Sequence, residues 1–293
     1  MDFLSPQSWP DALAARAEHP GAVAIAGGTD VMVELNFDRH RPDALIDLTR
    51  VADLREWSRT EDGGVRLGAG VSFARVMSEL GHLAPGLAMA SRTVGSPQIR
   101  VRGTVGGNLG SASPAGDAHP VLLAVGAVVE VESAARGTRA IPVAEFFTGV
   151  KQSALEPDEL ISAILLPPAT GPQQFAKVGT RNAMVIAVTS FGLALHPQQG
   201  RVGAAIGSAA PTPRHAVEAQ DFAAGELADL WSSRGELPHG VATRFGELVG
   251  SAARPIDDVR GTAAYRRHAL SVLARRTLAW AWADYRTTSR KVA

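Results

Sequence analysis

Short apolar runs bounded by glycine or polar residues recur along the first half of the chain. Such runs are typical of buried strands, whereas apolar residues spaced three or four apart indicate helices. Strands are predicted at 22–26, 44–48, 65–70, 127–131, 139–143 and 159–166. Helices are predicted at 10–18, 31–35, 72–80, 86–94 and 121–125. The first half is therefore expected to mix helices and strands.

The second half places its strands first and its helices afterwards. Strands predicted at 175–178, 185–195 and 201–207 suit an antiparallel sheet. The longest helical stretch is 259–285, where Leu270 and Leu278 lie near one face. This half is expected to form a small sheet covered by helices.

A segment rich in proline and glycine, Pro167 to Gln174, separates the two halves. Its composition is typical of a linker. We therefore divide the chain into a first domain at 1–170, a second at 175–285 and a tail at 286–293.

Composition and charge exclude several classes of protein. Lys plus Arg and Asp plus Glu each number 29, so there is no basic excess for nucleic acid. No apolar run is long enough to span a bilayer, and residues 1–20 lack the pattern of a signal peptide. We expect a cytoplasmic protein without a membrane span.

The chain has no cysteine, which restricts its redox chemistry. It can form no disulfide and cannot hold an iron–sulfur cluster through thiolates. Its eight histidines show no spacing typical of a metal site, so we predict none. Any redox chemistry would need an organic cofactor.

Two glycine-rich loops stand far apart in the sequence. The first is Ala26-Gly27-Gly28-Thr29-Asp30, and the second is Thr104-Val105-Gly106-Gly107-Asn108, which continues through Ser111 to Asp117. Glycine lets backbone N–H groups approach an anion closely because no Cβ intervenes. Two such loops favour a cradle for a pyrophosphate, with a flavin or nicotinamide dinucleotide as the ligand. A single Gly-Gly pair would more often be an ordinary turn.

Polar residues at the loop edges suit the same ligand. Thr104 and Asn108 can donate to phosphate oxygens, and Asp117 can accept from ribose or ribityl hydroxyls. Asp30 would repel a phosphate, so we expect it to cap the helix that follows. Lys177, near the end of a predicted strand, is either a surface lysine or a cation at the N1–C2=O edge of a flavin.

Other nucleotide and catalytic motifs are missing. There is no GxxxxGK[ST] loop and no GxSxG elbow, and the segment Gly68-Ala69-Gly70 lacks the third glycine of the Rossmann fingerprint. Asp257 and Asp258 are adjacent at a predicted helix start, where carboxylates more often act as caps.

The combination AGGTD, QIRVRGTVGGN and SPAGD resembles the flavoprotein (medium) subunit of the molybdenum hydroxylases. The segments Ala210–Arg214, Asp258–Arg260 and Tyr265–His268 extend the resemblance to the second half. That family includes xanthine and carbon monoxide dehydrogenases. At Met184 many members carry an acidic residue, so the chain departs from the family there.

The resemblance implies an α+β fold. A FAD-binding domain of the vanillyl-alcohol-oxidase (PCMH) type, built of two α+β subdomains, would precede a three-stranded antiparallel sheet with helices. The loops Ala26–Asp30 and Thr104–Asn108 would embrace the FAD pyrophosphate, and Asp117 would bond a sugar or ribityl hydroxyl. Leu160 would pack near a ring of the cofactor, and Lys177 would be the catalytic residue at the flavin edge.

The resemblance also implies partners. A small subunit would carry two [2Fe–2S] clusters, and a large subunit would carry molybdopterin and the substrate. This chain would be an oxidoreductase subunit that passes electrons to NAD⁺, oxygen or another acceptor, in a complex of the xanthine dehydrogenase type. The alternatives are a complex acting on carbon monoxide or another N-heteroaromatic compound, a self-sufficient flavin oxidase or reductase, and a non-enzymatic assembly protein.

Overall fold

Three sheets organise the chain, as seen in a computed structural model that describes residues 1–39 and 41–288. The first subdomain is a parallel sheet of order β1-β3-β2. Its elements are β1 (Asp2–Leu4), α1 (Trp9–Glu18), β2 (Val23–Ile25), α2 (Val31–Asn36) and β3 (Ala44–Asp47). Two 3-10 turns, Leu48–Arg50 and Ala52–Arg55, lead to the second subdomain.

The second subdomain is built on a five-stranded antiparallel sheet of order β4-β5-β10-β6-β7. Its strands are β4 (Trp57–Arg59), β5 (Val65–Gly68), β6 (Val128–Ser133), β7 (Gly137–Pro142), β8 (Phe147–Gly149), β9 (Gln152–Ser153) and β10 (Glu159–Leu166). Strands β8 and β9 form a separate hairpin. Its helices are α3 (Phe73–Glu79), α4 (Pro85–Thr93), α5 (Pro97–Arg102), α6 (Val105–Ser111), α7 (Ala118–Val125) and α8 (Val143–Phe146).

The C-terminal region is an antiparallel sheet of order β11-β12-β13-β14 covered by helices. Its elements are β11 (Gln173–Val178), β12 (Thr189–His196), β13 (Arg201–Gly207), β14 (Arg214–His215), α9 (Val217–Glu226), α10 (Leu230–Ser233), α11 (His239–Ala252) and α12 (Ala263–Thr288). A 3-10 turn, Pro197–Gln199, joins β12 to β13. Residues 289–293 of the predicted tail lie outside the described part of the chain.

These elements confirm the predicted α+β class, with two α+β subdomains followed by a small antiparallel sheet and helices. The two-residue strand β14 adds a fourth strand to the expected three. The strand predicted from residue 185 begins only at Thr189. The helix predicted from residue 259 begins at Ala263, because the Thr262 hydroxyl accepts the N–H of Tyr265 and the Asp257 carboxylate accepts that of Ala263.

Local sequence signals explain where several helices begin. The side chain of Ser8 accepts the N–H of Asp11 at the start of α1, and Ser96 accepts the N–H of Ile99 at the start of α5. Proline stands in the first turn of both helices, where its missing N–H leaves no bond unmade. Helix α5 matters for the site, because its last residue, Arg102, contacts the first glycine loop.

Helix α7 joins the second subdomain to the C-terminal sheet. All of its residues are buried, and its last turn ends at Gly126, whose φ is +74°. Two glycines of the C-terminal sheet lie against its backbone: a Cβ on Gly192 would lie 2.5 Å from the Pro120 oxygen, and one on Gly203 would overlap the Ala124 oxygen. Such close packing makes the C-terminal sheet a support for the loops around α7.

Within the described ranges, no helix is both long enough and apolar enough to cross a bilayer. The longest, α12, instead packs against the C-terminal sheet and α11, with Leu270, Leu278 and Trp282 fully or almost fully buried. Its apolar face is therefore used for the core of the C-terminal region.

Candidate functional site

A large cleft lies between the first and second subdomains, with a volume of about 1120 Å³. Pockets for small ligands usually measure about 300–1,000 Å³, so this one has room for a dinucleotide. Both glycine-rich segments line it, together with part of β10 and the segment before β12. The cleft therefore brings together most of the residues that the sequence singled out.

The first glycine loop connects β2 to α2 and lies directly on the end of α5. A Cβ on Gly27 would overlap the carbonyl oxygen of Arg102, so only glycine permits this approach. Gly28 has φ +73°, a left-handed conformation that also favours glycine. The structure thus places the first loop against the segment that leads into the second, and each glycine of the first loop has a distinct reason.

Successive backbone N–H groups of this loop remain open to a ligand. The N–H groups of Gly28, Thr29 and Asp30 donate to no acceptor among residues 1–39 and 41–288. Successive unpaired N–H groups form a concave donor surface that suits an anion. Ala26 and Thr29 also line the cleft. This loop can therefore hold a phosphate in the predicted way.

The second glycine segment is helical, which corrects the expectation of an open loop. Thr104 caps α6, and its hydroxyl oxygen accepts the N–H of Gly107 at 2.9 Å. The N–H of Asn108 donates to the Thr104 carbonyl. These donors are already used within the protein, so the segment does not offer the row of free N–H groups that was predicted.

Close packing explains the glycine at position 106. The N–H groups of Val105 and Gly106 donate to the carbonyls of Val71 and Ala69. A Cβ on Gly106 would lie 2.5 Å from the Ala69 Cβ, inside the core. Gly107 is exposed and lines the cleft. The two neighbouring glycines therefore differ in role: the first lets α6 pack on the end of β5, and the second leaves space in the cleft.

Asp30 does not cap α2 as expected. It occupies the N-cap position, but its carboxylate accepts no helix N–H. Its Oδ2 instead accepts the hydroxyl of Ser111 at 2.8 Å, across 81 residues of sequence. A second link joins α2 to the β8–β9 turn, because Lys151 forms an ion pair with Glu34. These contacts tie the first subdomain to the second at the rim of the cleft.

Lys177 and Asp117 form a buried ion pair. The Lys177 ammonium lies 2.5 Å from Asp117 Oδ2, and the two side chains are 9% and 7% exposed. Nζ also donates to the Thr93 carbonyl, and the Thr93 hydroxyl donates to the same carboxylate oxygen. Lys177 is therefore no surface lysine. Asp117 lines the cleft, whereas Lys177 lies behind it and is not among the lining residues.

This geometry changes what Asp117 can offer to a ligand. Its Oδ2 is occupied, whereas Oδ1 is buried and has no partner within the described chain. Burial raises the pKa of Asp117, and the Lys177 ammonium and the Thr93 hydroxyl oppose that shift. One free carboxylate oxygen thus remains to accept a hydroxyl.

Asn108 carries a second unpaired acceptor. Its side-chain oxygen is buried and makes no hydrogen bond to any described residue, and the residue lines the cleft. Rotation of the amide exchanges this oxygen with the NH₂ group, so the position can meet a ligand donor or acceptor. Buried polar groups are normally paired, which makes Asn108 and Asp117 candidates for ligand contacts.

Apolar residues form another part of the wall. Leu160, on β10, is buried and lines the cleft beside Ile161. The segment before β12 contributes Met184, Val185 and Ile186. Met184 has φ +51° and is half exposed. A planar ring system would find apolar contacts on these surfaces.

His119 is a buried residue behind the cleft whose supporting role the sequence patterns did not reveal. It is completely buried, its Nε2 lies 3.1 Å from the Asn108 carbonyl oxygen, and its ring lies 4.5 Å from that of Phe147. A Cβ on Gly116 would overlap its ring. Only its position two residues after Asp117 could have drawn attention to it. It links α6, which carries Asn108, to the first turn of α7, which follows Asp117.

We expect the stability of the protein to fall between about pH 6.5 and pH 4 because of His119. Burial lowers the pKa of this histidine from 6.5 to about 4. The folded protein therefore requires the neutral imidazole. As the pH falls, the unfolded chain binds a proton at this histidine before the folded protein does, so the free energy of unfolding decreases. This shift in the pKa corresponds to about 3 kcal/mol in the free energy of unfolding.

The measurement is urea unfolding at several pH values for the wild type and for His119→Gln. The variant should show a shallower loss of stability between about pH 7 and pH 4.5. His82→Gln, at an exposed position, serves as the control and should follow the wild type. Parallel pH profiles for the wild type and His119→Gln would contradict the assignment.

No group of three or more metal-ligating side chains that could hold an ion occurs in the portion of the chain that the structure describes. The chemistry of the cleft is instead that of backbone donors, two unpaired acceptors and apolar walls. Such a site suits an organic ligand with phosphate, hydroxyl and ring groups.

Comparison with known proteins agrees with this picture. The family described as the FAD binding domain in molybdopterin dehydrogenase matches residues 1–169, and the CO dehydrogenase flavoprotein C-terminal domain matches residues 174–281. The nicotinate dehydrogenase FAD-subunit of Eubacterium barkeri is 31% identical over 81% of this chain and 84% of its own.

Two further likenesses cover most of the chain. The xanthine dehydrogenase FAD-binding subunit of Escherichia coli O157:H7 is 29% identical over 92% of this chain and 91% of its own. A chain of quinoline 2-oxidoreductase from Pseudomonas putida 86 is 24% identical, with 98% of both chains covered and a TM-score of 0.88. The latter shares the whole fold described above.

Proposed function

The chain belongs to the family of FAD-binding subunits of molybdopterin dehydrogenases, and from this premise we propose that it carries electrons within a molybdenum hydroxylase complex. It would accept them from [2Fe–2S] clusters of a small partner subunit and pass them to NAD⁺ or another acceptor. A large partner subunit would hold molybdopterin and the substrate. The absence of cysteine supports this division, because this chain cannot supply thiolate ligands for clusters.

The observation that carries the proposal is the pairing of Gly27 with Arg102 at the floor of a dinucleotide-sized cleft. This contact brings the free N–H groups of the first loop beside α6. The FAD pyrophosphate would bind those N–H groups, and Thr104 and Asn108 would face it from the second segment. The residues present therefore fit the cofactor.

Asp117 and Leu160 keep the cofactor contacts predicted from the sequence, and the role proposed for Lys177 changes. Asp117 Oδ1 would accept a hydroxyl of the cofactor, and Leu160 would contact one of its rings. Lys177 would influence the flavin through the ion pair with Asp117 rather than by direct contact. When bound, FAD supplies the electron chemistry that no side chain here can supply.

We propose a xanthine or related purine as the substrate of the complex. The likeness to a xanthine dehydrogenase subunit supports it, and the likeness to a nicotinate dehydrogenase subunit keeps another N-heteroaromatic substrate as the alternative. The assay is dye reduction by the purified complex with xanthine, nicotinate or carbon monoxide. Reduction by nicotinate or carbon monoxide alone would contradict the purine assignment.

We expect the purified chain to contain FAD, and Gly107→Leu to weaken FAD binding by about 10- to 100-fold. The leucine would fill cleft space that only glycine leaves open, and overpacking typically costs 1–3 kcal/mol. Its Cβ would also lie 2.9 Å from the Thr104 hydroxyl, which perturbs the cap of α6. The measurement is the visible spectrum, chromatography of the released cofactor and titration of the apoprotein with FAD.

Gly240→Leu is the matched control, because Gly240 lies in α11 and a Cβ there meets no atom within 4 Å. This variant should keep the FAD affinity of the wild type. A Gly107→Leu protein with normal flavin content would contradict the assignment of the cleft. A colourless wild type that fails to bind added FAD would contradict the proposed function itself.

A further inference from the structure

Ser208 connects three segments of the C-terminal region and the second subdomain. Its N–H donates to the Pro114 carbonyl at 2.8 Å, and its hydroxyl donates to the Ala187 carbonyl at 2.6 Å. Its own carbonyl accepts Nη1 of Arg266 at 2.6 Å. The residue is 7% exposed, so all three contacts are shielded from water.

Two of these contacts are made to segments whose residues line the cleft. Pro114 belongs to the segment 113–117, in which Ser113 and Asp117 line the cleft. Ala187 directly follows the apolar segment 184–186, which lines it as well. These two segments come from different halves of the chain. Ser208 is bonded to both at once, although it is absent from the cleft wall.

Arg266 holds Ser208 in place. Its side chain is 3% exposed, and Nη1 also donates to the Val188 carbonyl at 2.8 Å. Nη2 lies 2.5 Å from Asp258 Oδ1, which balances the buried charge. A rigid guanidinium with several partners fixes their mutual geometry better than a single bond would. It thereby ties the start of β12 to the residue that follows β13.

The backbone of Ser208 is unusual for a serine. Its φ is +59°, in the left-handed region that glycine adopts at less cost. Glycine here would keep the N–H and carbonyl contacts but would lose the bond to Ala187. A conformation of this kind persists where surrounding contacts determine it, and it suggests a role for the side chain.

We propose that Ser208 is a positioning residue that sets the two cleft-lining segments, 113–117 and 184–187, relative to each other. Its hydroxyl fixes the apolar segment, its N–H fixes the segment of Asp117, and Arg266 fixes Ser208. The C-terminal region thus shapes the FAD site from outside the cleft. The part of this inference that concerns FAD rests on the proposed function.

The test compares Ser208→Ala and Ser208→Gly with Ser190→Ala. Both variants at position 208 lose the hydroxyl, and the glycine also removes the backbone strain. Ser190 is the matched control, since it is a fully buried serine on the same sheet whose hydroxyl has no partner among the residues described. The readouts are the FAD dissociation constant, hydrogen exchange of peptides spanning 113–117 and 184–188 in the apoprotein, and the unfolding temperature.

We expect both Ser208 variants to raise the FAD dissociation constant about 5-fold, the usual effect of one lost hydrogen bond. Exchange in the 184–188 peptide should become faster because the hydroxyl bond to Ala187 is lost, whereas the 113–117 peptide keeps its bond to the residue 208 N–H and should stay near the wild type. Ser190→Ala should leave every readout near the wild type. A lower unfolding temperature in the Ser208 variants with unchanged FAD binding and exchange would overturn the proposal. If Ser208→Ala does not fold, the unstrained Ser208→Gly decides.

Failure of the proposed function would look different. A wild type that binds no FAD would refute the cofactor assignment, while exchange in the apoprotein would still report whether Ser208 holds the two segments. Unchanged exchange in both Ser208 variants would refute the positioning role, whatever the affinity for FAD.

Discussion

Replacement of Lys177 with methionine should destabilise the folded protein by about 3–5 kcal/mol, because it leaves the buried carboxylate of Asp117 without its cation. Methionine fills a similar volume, so the lost charge and not a cavity dominates the effect. The free energy of unfolding is measured by urea denaturation of the apoprotein at pH 7. The same variant should lower the flavin midpoint potential, because a nearby positive charge is removed.

The destabilisation caused by Lys177→Met should also depend on pH. Without Lys177, burial raises the pKa of Asp117 and only the Thr93 hydroxyl opposes that shift. A carboxyl whose pKa is higher in the folded than in the unfolded state destabilises the fold at high pH, and its protonation relieves that cost. The destabilisation should therefore shrink as the pH falls towards about 4, where the unfolded carboxyl is also protonated.

Two further variants test whether the destabilisation comes from the unpaired buried carboxylate or from the loss of any lysine. Lys151→Met removes a cation from the ion pair with Glu34, whose side chains are 57% and 34% exposed, and should cost at most about 1 kcal/mol. The double variant Lys177→Met with Asp117→Asn should recover much of the loss, because no unpaired charge stays buried. Equal losses for Lys177→Met and Lys151→Met would contradict the buried pair.

Gly27→Ala should weaken FAD binding by at least about 10-fold and destabilise the protein by about 1–3 kcal/mol. The added Cβ would overlap the backbone of Arg102, which cannot rotate away as a side chain would. The first loop must then move off α5, and the donors of that loop move with it. The measurements are FAD titration of the apoprotein and urea unfolding.

Gly21→Ala provides the control for Gly27→Ala. A Cβ on Gly21 meets no atom within 4 Å, and this glycine is not in the left-handed region. The control should match the wild type in stability and FAD affinity, or gain slightly in stability from the less flexible unfolded chain. Wild-type affinity in Gly27→Ala would show that close contact between the first loop and the end of α5 is not needed for the cofactor.

The local patterns predicted many elements because their causes are local. The apolar run at 159–166 is β10 with the same bounds, and 201–207 is β13. The resemblance to the flavoprotein subunit, drawn from short glycine motifs, is confirmed by family matches to both halves. The strand predicted from residue 185 was too long, because the apolar residues before Thr189 line the cleft instead of extending the sheet.

Glycine spacing alone could not distinguish a Gly-Gly pair in an open loop from a Gly-Gly pair inside a helix. In the first loop the sequence correctly indicated free backbone donors, because β2 ends there and α2 begins. In the second segment the same Gly-Gly pair lies inside α6, where the Ala69 carbonyl and the Thr104 hydroxyl accept its two N–H groups. The distinction depends on Ala69, which is 37 residues away and touches the site of the missing Cβ.

The sequence by itself determined the alternation of strands and helices, the placement of the glycine loops and the lack of thiolate ligands. Tertiary structure alone decided which polar groups meet: Asp30 with Ser111, Lys177 with Asp117, and Ser208 with two backbone carbonyls and one guanidinium. The reason is physical. Helices and strands respond to neighbours a few residues away, whereas the partner of a buried polar group is chosen by close packing of distant segments, each of which must satisfy its hydrogen bonds away from water.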